Sequence, residues 1–237
     1  MFHINLIRLL INVFDKIEQR KIISFFKKKL NHQLIIFDVG SHHGETIKLF
    51  NKNFNIKEIH SFEASTINFN ILKKKKMIKH NHIFINNFGL SNSCRNDYIN
   101  QTIESSSSTI CEINKKSNYY KKKIRILGVL NNKNFIKKIS IKLKTLDNYI
   151  KEKKIKQIDI LKIDTEGHEH EVLLGAKKNL NQVKFIYFEH HYDCMIKKKY
   201  KFSDINNFLI NNNFRQVLKS KMIFRKTFEY VYQNNLQ

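Results

Sequence analysis

Proline and tryptophan are absent from this sequence of 237 residues, and glycine and cysteine are scarce. The three cysteines, Cys94, Cys111 and Cys194, are far apart and form no C-x-x-C pair. This excludes a zinc knuckle and a disulfide framework and favours a reducing, cytoplasmic compartment. No repeat and no glycine- or serine-rich linker divides the chain, and its length suits one α/β domain.

Long hydrophobic runs are also missing. The first thirty residues are apolar in patches, but Arg8, Asn12 and Asp15 interrupt them too early for a membrane span. They also lack the basic start and small-residue cleavage site of a signal peptide. The spacing predicts an amphipathic helix in an N-terminal segment over 1–33, ahead of a domain over 34–237. Most such helices cover a sheet, and peripheral membrane contact is the alternative. The predicted apolar face comprises Leu6, Leu9, Leu10, Val13 and Ile17.

Acidic residues are few relative to basic ones. The chain has 44 lysine and arginine residues against 20 aspartate and glutamate residues, a formal charge of +24. The lysine runs are scattered over predicted helix ends and loops, and the heavy use of Lys, Asn and Ile resembles A/T-rich coding bias. Solvated lysine-rich surfaces are the first interpretation. Binding to nucleic acid, an acidic glycan or an anionic membrane is the alternative.

The segment LIIFDVGSHHG, over 34–44, carries the clearest structural signal. Its apolar run closed by Asp38 and a glycine predicts a central parallel strand that is packed on both faces. Ligands of open α/β sheets bind beyond the carboxyl ends of such strands. Gly40 lets the backbone approach a ligand, and Gly44 allows close helix packing or an open helix N-terminus. A strand–loop–helix unit without a ligand is the alternative.

The remaining chain predicts further strands and helices in alternation. We expect later strands at 56–63, 82–92, 139–146, 158–164 and 183–189, with a closing pair at 214–218 and 227–232. We expect helices at 45–53, 66–79, 168–180 and 202–212, and one that Asp147 opens as its N-cap. Residues 91–138 are less regular and predict an insertion with short strands before the fourth core strand, which is 158–164.

A second acidic residue, Glu63, ends the second predicted strand. It follows Asp38 by the length of one β-α-β unit. Doubly wound nucleotide sites place at this position a carboxylate that accepts hydrogen bonds from ribose hydroxyls. A helix N-cap is the alternative role for Glu63.

Three strings, FDVGSHHGET, HSFEAS and DILKIDTEGHEHEVLLGA, resemble the FkbM-type S-adenosylmethionine-dependent methyltransferases, and TLDNYI and FGLSN fit the same family. The resemblance implies a class I, Rossmann-like α/β fold: a mostly parallel seven-stranded sheet with helices on both faces. It also implies S-adenosylmethionine as cofactor and O-methylation of a sugar, glycan or other small-molecule acceptor. One departure is the loop Ser41-His42-His43, where the family more often has Ala-Asn.

The resemblance assigns roles at the parts of the cofactor. Glu63 is expected to accept both ribose hydroxyls, because a carboxylate has two acceptor oxygens. Asp38 and the loop at Gly40 are expected at the amino-acid end, and Asn87 or Phe88 beside the adenine, with a structural turn as the alternative. The expected cofactor-binding residues are Asp38, Gly40, Ser41, Gly44, Glu63, Asn87 and Phe88. Ser107 and Ser108 either line the site or belong to a solvated loop.

Methyl transfer to a hydroxyl requires alignment and a base that takes the hydroxyl proton. The candidates lie at the carboxyl ends of the fourth and fifth core strands and are Asp164, Glu166, His168, Glu189, His190 and His191. The expected catalytic residues are Asp164, as first choice, with Glu189 and His190. Glu166 either belongs to this group or is a favourable acid in the first turn of the following helix. A divalent metal at this cluster is the minor alternative, so no metal ligand is predicted.

Two other functions stay open. The charge suggests a nucleic-acid methyltransferase, but without proline the chain cannot contain the N/D-P-P-Y/F tetrapeptide of base amino-group methylases. A ribose-directed enzyme usually needs a lysine-centred set, and the sequence alone identifies none. A non-catalytic binding module on the same fold is the third interpretation, against which Asp38, Glu63 and Asp164 argue. The acceptor itself cannot be inferred from a fold.

Overall fold

The computed structural model describes residues 19–127, 135–222 and 226–237. Within them the strands are β1 (Leu34–Val39), β2 (Ile56–Phe62), β3 (Ile83–Asn86), β4 (Gly89–Leu90), β5 (Arg95–Thr102), β6 (Glu112–Ile113), β7 (Ile136–Lys144), β8 (Ile158–Ile163), β9 (Val183–His191), β10 (Ile196–Lys197), β11 (Phe214–Lys221) and β12 (Thr227–Asn234). The helices are α1 (19–29), α2 (Glu45–Asn53), α3 (Thr66–Lys73), α4 (Asn118–Leu127), α5 (Leu146–Lys153), α6 (Glu169–Leu174) and α7 (Phe202–Asn211).

Seven strands form the central sheet, in the order β11-β12-β9-β8-β1-β2-β3. The strands from β9 to β3 pair in parallel, whereas β12 runs antiparallel to both β9 and β11. Parallel neighbours need crossover connections, which here are largely helical and cover both faces of the sheet. The predicted class I architecture, a mostly parallel seven-stranded α/β sheet, is therefore confirmed.

Each face of this sheet has its own core, because side chains alternate along a strand. In β1, Phe37 and Val39 pack with α5, α6 and α7, whereas Leu34 and Ile36 pack with α1 and α2. Strand β8 is buried at every position. A strand covered on both sides has no solvent-facing row, and this explains why apolar residues of β8 lie on both faces of the sheet.

Helix α1 lies on the sheet. Phe26 is fully buried, and its ring meets that of Phe185 edge-on, with 5.6 Å between centroids. This described part of the N-terminal segment packs into the same core as β1. The amphipathic face predicted over 6–17 lies outside the described residues. Among the helices that the structure describes, none combines the length and apolar character that a membrane span requires.

The insertion forms a second layer beside the main sheet. Strands β4, β7 and β5 make a three-stranded sheet, and β6 pairs with β10. The predicted short strands are present, and the structure adds helix α4, which the irregular spacing did not indicate. The strand predicted over 82–92 with its terminal loop ends at Asn86, and a second short strand, β4, follows it. Strand β4 leaves the central sheet and pairs with β7, where Gly89 lies tightly against Leu143 and Ala64.

The N-cap predicted before α5 is wrong. The helix begins at Leu146, and Thr145 is the N-cap, because its Oγ1 accepts a hydrogen bond from the Asn148 N–H at 3.1 Å. The Asp147 carboxylate instead accepts the N–H of Lys178 at 3.2 Å. Asp147 therefore secures the 3-10 turn after α6 rather than its own helix.

Two helices are shorter than predicted. The helix expected over 66–79 ends at Lys73, and that expected over 168–180 ends at Leu174; each is followed by a separate 3-10 turn. At the second break, Gly175 lies so close to the Ser91 carbonyl that a side chain would overlap it. Packing against a distant loop ends this helix, which local periodicity does not reveal.

Candidate active site

A cavity of about 1630 Å³ opens where the parallel strands of the central sheet end. Its walls are the carboxyl ends of β1, β2, β8 and β9, the start of β12 and insertion residues between 104 and 126. Open α/β sheets bind ligands at this edge. The predicted residues that line the cavity are Gly40, Ser41, Glu63, Asp164 and Glu189. The predicted residues outside this lining are Asp38, Gly44, Asn87, Phe88 and His190.

The loop after β1 depends on Gly40. The N–H groups of Gly40 and Ser41 both donate to the Phe62 carbonyl, at 2.9 and 3.1 Å, which ties this loop to the end of β2. Gly40 has a φ of 86°, and a Cβ there would overlap the carbonyl oxygen of Asp164 at the end of β8. Only glycine permits this approach, so the ends of β1 and β8 meet at the cavity.

Glu63 is held by backbone donors. Its Oε2 accepts the His42 N–H at 2.8 Å and its Oε1 accepts the Ser65 N–H at 2.9 Å. Burial raises the pKa of Glu63 to about 7, against the lowering effect of these donors. The N-cap of α3 is Ser65, whose side chain accepts the Asn68 N–H at 3.4 Å. Glu63 is therefore not the cap, and its carboxylate remains at the cavity wall.

Asn87 and Phe88 lie behind this wall. The Asn87 amide donates to the Glu63 carbonyl at 3.0 Å, and the Phe88 ring packs 5.5 Å from that of Phe62. Neither residue reaches the cavity, so their placement supports a structural role and not the expected contact with adenine. Gly44 also lies behind the wall, with a φ of 82° as the N-cap of α2.

Asp38, Lys162 and Asp164 form a charged row across β1 and β8. The Lys162 Nζ lies 3.2 Å from Asp164 Oδ2 and 3.7 Å from Asp38 Oδ1. Asp38 is fully buried, and burial raises its pKa to about 6 although Lys162 opposes the shift. Burial alone would lower the pKa of Lys162, but the two carboxylates hold it above its usual range.

Lys162 was not among the predicted site residues, although its position in the sequence indicates that it points toward the same side as Asp164. Residues two apart in a strand share a face, so Lys162 and Asp164 must point the same way. A lysine in a predicted buried strand, two residues before an aspartate at the strand end, indicates an ion pair on one face of the sheet, and the sequence could have revealed it.

Another wall of the cavity is formed by the carboxyl end of β9 and the loop after β8. There the His191 Nε2 lies 3.2 Å from Glu166 Oε2 and 3.3 Å from Glu189 Oε1. Beside them, the Tyr187 hydroxyl donates to the Glu229 carboxylate. Burial raises the pKa of Glu189 to about 8, with Asp164 adding to the shift. This wall therefore combines several acidic side chains with one imidazole.

His190 faces away from the cavity. Strand alternation sends Glu189 and His191 to the cavity and His190 to the other side of the sheet. Its ring lies among aromatic rings, 4.8 Å from Tyr192 and 5.5 Å from Phe202 between centroids. Burial lowers the pKa of His190 to about 3, so the ring is neutral. The position does not suit the catalytic role expected from sequence, and His191 occupies that place.

Glu166 precedes the following helix and does not start it. Helix α6 begins at Glu169, whose Oε1 accepts the N–H groups of Thr165 and Gly167 at 3.2 and 2.9 Å. Glu166 has a φ of 51°, and its carbonyl accepts a hydrogen bond from the Thr109 hydroxyl at 2.6 Å. The loop is thus shaped by Glu169 and by the insertion, which together turn the Glu166 carboxylate toward His191.

The insertion covers the cavity from the side. The Ser105 hydroxyl is hydrogen-bonded to His42 Nε2 at 2.6 Å, and this contact joins the serine run over 105–108 to the loop after β1. Lys123 of α4 bonds Ser107 and lies 3.1 Å from Glu104. Ser107 and Ser108 both line the cavity, so this serine run belongs to the wall and is not a solvated loop.

In the described part of the chain, one group of side chains has metal-ligand types close together: His42, His43 and Glu45. The two imidazole rings are stacked, with centroids 3.7 Å apart and an interplanar angle of 21°. The candidate ligand atoms of the three residues lie within 4.8 Å of one another. Both ring nitrogens of His42 already have protein partners, Glu45 at 3.3 Å and Ser105 at 2.6 Å.

Comparisons with known proteins bear on what this site does. A family model for the methyltransferase FkbM domain matches residues 38–216, about three quarters of the chain. No curated protein sequence matches the chain. Similar solved structures include a methyltransferase FkbM from Methylobacillus flagellatus, with a TM-score of 0.55 and 14% identity. The match covers 86% of this chain but 45% of that protein, so this chain spans less than half its length.

Two further structures have comparable similarity. TrmK from M. capricolum, in complex with S-adenosyl-homocysteine, has a TM-score of 0.50 and 13% identity, over 90% of this chain and 67% of that one. Magnesium protoporphyrin IX methyltransferase from Synechocystis, with bound S-adenosylmethionine, has a TM-score of 0.53 and 10% identity, over 94% and 81%. At such identities the likeness concerns the fold alone.

Proposed function

The chain belongs to the FkbM methyltransferase family, and on that premise we propose that it is an S-adenosylmethionine-dependent O-methyltransferase. Its proposed acceptor is a hydroxyl of a sugar, glycan or other small molecule. The observation that carries the proposal is the convergence of Glu63, the loop at Gly40 and Asp164 on one cavity at the carboxyl ends of β1, β2 and β8. This is the edge where open α/β sheets bind nucleotides.

The residues on the β1–β2 side fit the demands of the cofactor. Each Glu63 oxygen has one backbone donor, which leaves acceptor capacity for the two ribose hydroxyls. Gly40 allows the backbone to approach the amino-acid end, and the buried Ser41 hydroxyl has no hydrogen-bond partner among the described residues. Asp38 lies outside the lining, and its carboxylate acts on the site through Lys162, whose ammonium group lies 3.7 Å away and lines the cavity. The proposed contacts beside adenine are Ala64, Asn68 and Leu90, with Asn87 positioning Glu63 from behind.

When bound, S-adenosylmethionine supplies an electrophilic methyl group. The residues of this chain then have to align the acceptor oxygen and remove its proton. Glu189 is our proposed base, because its carboxylate lines the cavity at the end of β9, and its raised pKa makes the ionised form, which prevails above about pH 8, a stronger proton acceptor. Asp164, engaged by Lys162 at 3.2 Å, is proposed to hold the reacting groups in line. His190 has no place in this machinery because it faces away from the cavity.

Calorimetry with S-adenosylmethionine and S-adenosylhomocysteine tests the cofactor assignment. We expect binding at micromolar concentration, and no heat at high micromolar cofactor would favour a non-catalytic module on the same fold. Transfer of a labelled methyl group to a panel of free hexoses and methyl hexosides tests the reaction class. Incorporation that survives base treatment, which cleaves methyl esters but not ethers, supports O-methylation of a hydroxyl.

A second function is favoured by one specific observation. Lys162 between Asp38 and Asp164 is a lysine-centred set of the kind a ribose hydroxyl methylase needs, in a chain of charge +24. RNA is the acceptor to test beside the sugars. Methyl incorporation into RNA, together with affinity that falls steeply with salt yet persists near physiological salt, would support this alternative.

A further inference from the structure

His191 lies between two carboxylates that come from different segments. Its Nε2 is 3.2 Å from Glu166 Oε2 and 3.3 Å from Glu189 Oε1. The three side chains keep only 11%, 16% and 15% of their surface exposed, for His191, Glu166 and Glu189 respectively. All three line the cavity. Ionisable groups that are this close and this buried share their protons as a unit.

The other ring nitrogen of His191 is also fixed. The Thr227 Oγ1 lies 3.1 Å from Nδ1, and Asp193 Oδ2 lies 3.7 Å from it. The ring is therefore held from β12 and from the loop after β9, and Nε2 stays within ion-pair distance of the two glutamates, without hydrogen-bond geometry to either. Burial opposes a charged imidazole, but Glu166, Asp193 and Glu189 outweigh it and raise the pKa of His191 to about 10.

The charges around this unit are mostly negative. Those that act on its members are the carboxylates Asp164, Glu169 and Glu229 and the ammonium groups Lys123 and Lys162. Lys162 is already engaged by two aspartates, and Lys123 by Glu104. The His191 imidazolium is thus the cation in contact with Glu189 among the described side chains.

On the basis of the methyltransferase function proposed above, we propose that His191 is a positioning residue for the proton-transfer step. Its ring holds Glu189 and Glu166 side by side on the wall formed by the end of β9 and the loop after β8, which we call the acceptor wall. It also places one positive charge between the two carboxylates. This allows Glu189 to be ionised in a buried, acidic setting and fixes the carboxylate in the cavity. The imidazolium lowers the pKa of Glu189, so without it Glu189 would hold its proton up to a higher pH and fewer molecules would have a free base.

The step balances without any further reactant. The bond from the acceptor oxygen to the methyl carbon forms while the methyl–sulfur bond breaks, and the bonding electron pair stays on sulfur. The hydroxyl proton passes to a Glu189 carboxylate oxygen. The charge of the unit then rises by one, and the proton leaves to solvent after product release. His191 remains protonated throughout, paired with Glu166.

The first test needs no acceptor. The imidazole nitrogens of His191 are followed by NMR between pH 5 and 11 in the full chain labelled with nitrogen-15 histidine, with His191→Gln used to assign the signal. We expect the imidazolium form at pH 8. The variant Glu166→Gln removes one of its two anions and should lower the midpoint of His191 by about one pH unit or more. A His191 that is neutral at pH 7.5 would overturn the proposal.

The second test uses the pH profile of kcat with the best hexose acceptor of the panel. His191→Gln should move the midpoint upward by about one pH unit and lower the rate at pH 7 by up to about tenfold. Glu166→Gln should move the midpoint the other way, because it removes a negative charge from beside Glu189. His190→Gln, which changes the neighbouring ring on the opposite face, should leave the midpoint unchanged. If kcat of His191→Gln falls by the same factor at every pH, His191 has only a structural role.

The two proposals can fail separately. Absence of cofactor binding in the wild-type chain counts against the methyltransferase function, whatever His191 does. Retained cofactor binding with an unshifted profile in both His191→Gln and Glu166→Gln counts against the role of His191 alone. If His191→Gln does not fold, the NMR midpoint of His191 in the wild-type chain and its fall in Glu166→Gln still decide the question.

Discussion

The two walls of the cavity are built in different ways. On the wall proposed to bind the cofactor (the cofactor wall, at the ends of β1 and β2), backbone groups hold the functional side chain: Glu63 accepts the N–H groups of His42 and Ser65. On the wall proposed to face the acceptor (the acceptor wall, at the end of β9 and the loop after β8), side chains hold each other: His191 contacts Glu189 of its own strand and Glu166 of the loop after β8. The first wall forms once β1 and β2 pair, whereas the second also requires β8, β9 and the insertion to assemble.

This difference has a consequence for function. A wall made by backbone donors has one geometry, which suits a constant ligand such as a cofactor. A wall made by coupled ionisable side chains changes its charge with pH and with each substitution, which suits proton transfer. We therefore expect changes on the cofactor wall to alter affinity and changes on the acceptor wall to alter turnover.

The largest expected effect is on the acceptor wall. Glu189→Gln removes the proposed base and should lower kcat by about 10²- to 10⁴-fold, while cofactor affinity by calorimetry stays within about twofold. The matched change Asp164→Asn should also lower turnover and keep cofactor binding. Full turnover in Glu189→Gln together with its loss in Asp164→Asn would return the base to Asp164.

The next largest effect concerns the backbone of the cofactor wall. Gly40→Ala places a methyl group against the Asp164 carbonyl at a φ of 86°, and should cost about 2–5 kcal/mol of unfolding free energy together with cofactor binding. Gly44→Ala is the matched control at a φ of 82°, because its methyl group would meet the side chains of Met77 and Leu72, which can move. Urea denaturation should rank Gly40→Ala as the less stable variant, and equal stability would contradict this account.

The contrast between the two walls also explains which residues of the site could be predicted from the sequence. The placement of Gly40 and Glu63 at the cavity could be predicted from strand ends and glycine spacing, whereas Asp38, predicted in the same way, lies outside the lining. The central sheet was predictable for the same reason: apolar runs and helical spacing are local patterns. Placement of Asn87 behind the wall could not be predicted, because it depends on where β4 leaves the central sheet.

The acceptor wall was less predictable. Local alternation along β9 could have favoured His191 over His190, but nothing local indicates that Glu166 reaches the same ring. That contact depends on Glu169 shaping the loop and on Thr109 of the insertion holding the Glu166 carbonyl. Helix α4 and its Lys123 likewise depend on contacts far apart in the chain.

A smaller effect is expected from the cofactor wall's carboxylate. Glu63→Gln keeps the size and one acceptor oxygen but removes the charge, and should weaken cofactor binding by about 10- to 100-fold, the range of one or two charge-assisted hydrogen bonds. Circular dichroism should show an unchanged fold, and kcat at saturating cofactor should stay close to that of the wild type. A drop in kcat with unchanged cofactor affinity would mean that Glu63 acts in the transfer step and does not bind the cofactor.

The smallest effect is the pH dependence of cofactor binding. Burial raises the pKa of Glu63 to about 7, so the carboxylate is mostly protonated below neutral pH and cannot accept both ribose hydroxyls. If only the ionised form binds, affinity should rise by about tenfold between pH 6 and pH 8, because binding then displaces a proton. Calorimetry at the two pH values in buffers of different ionisation enthalpy measures both the affinity and the released proton. Glu63→Gln has no proton to lose and should bind weakly but equally at both, whereas a wild-type affinity that is flat across this range would mean that another group meets the ribose.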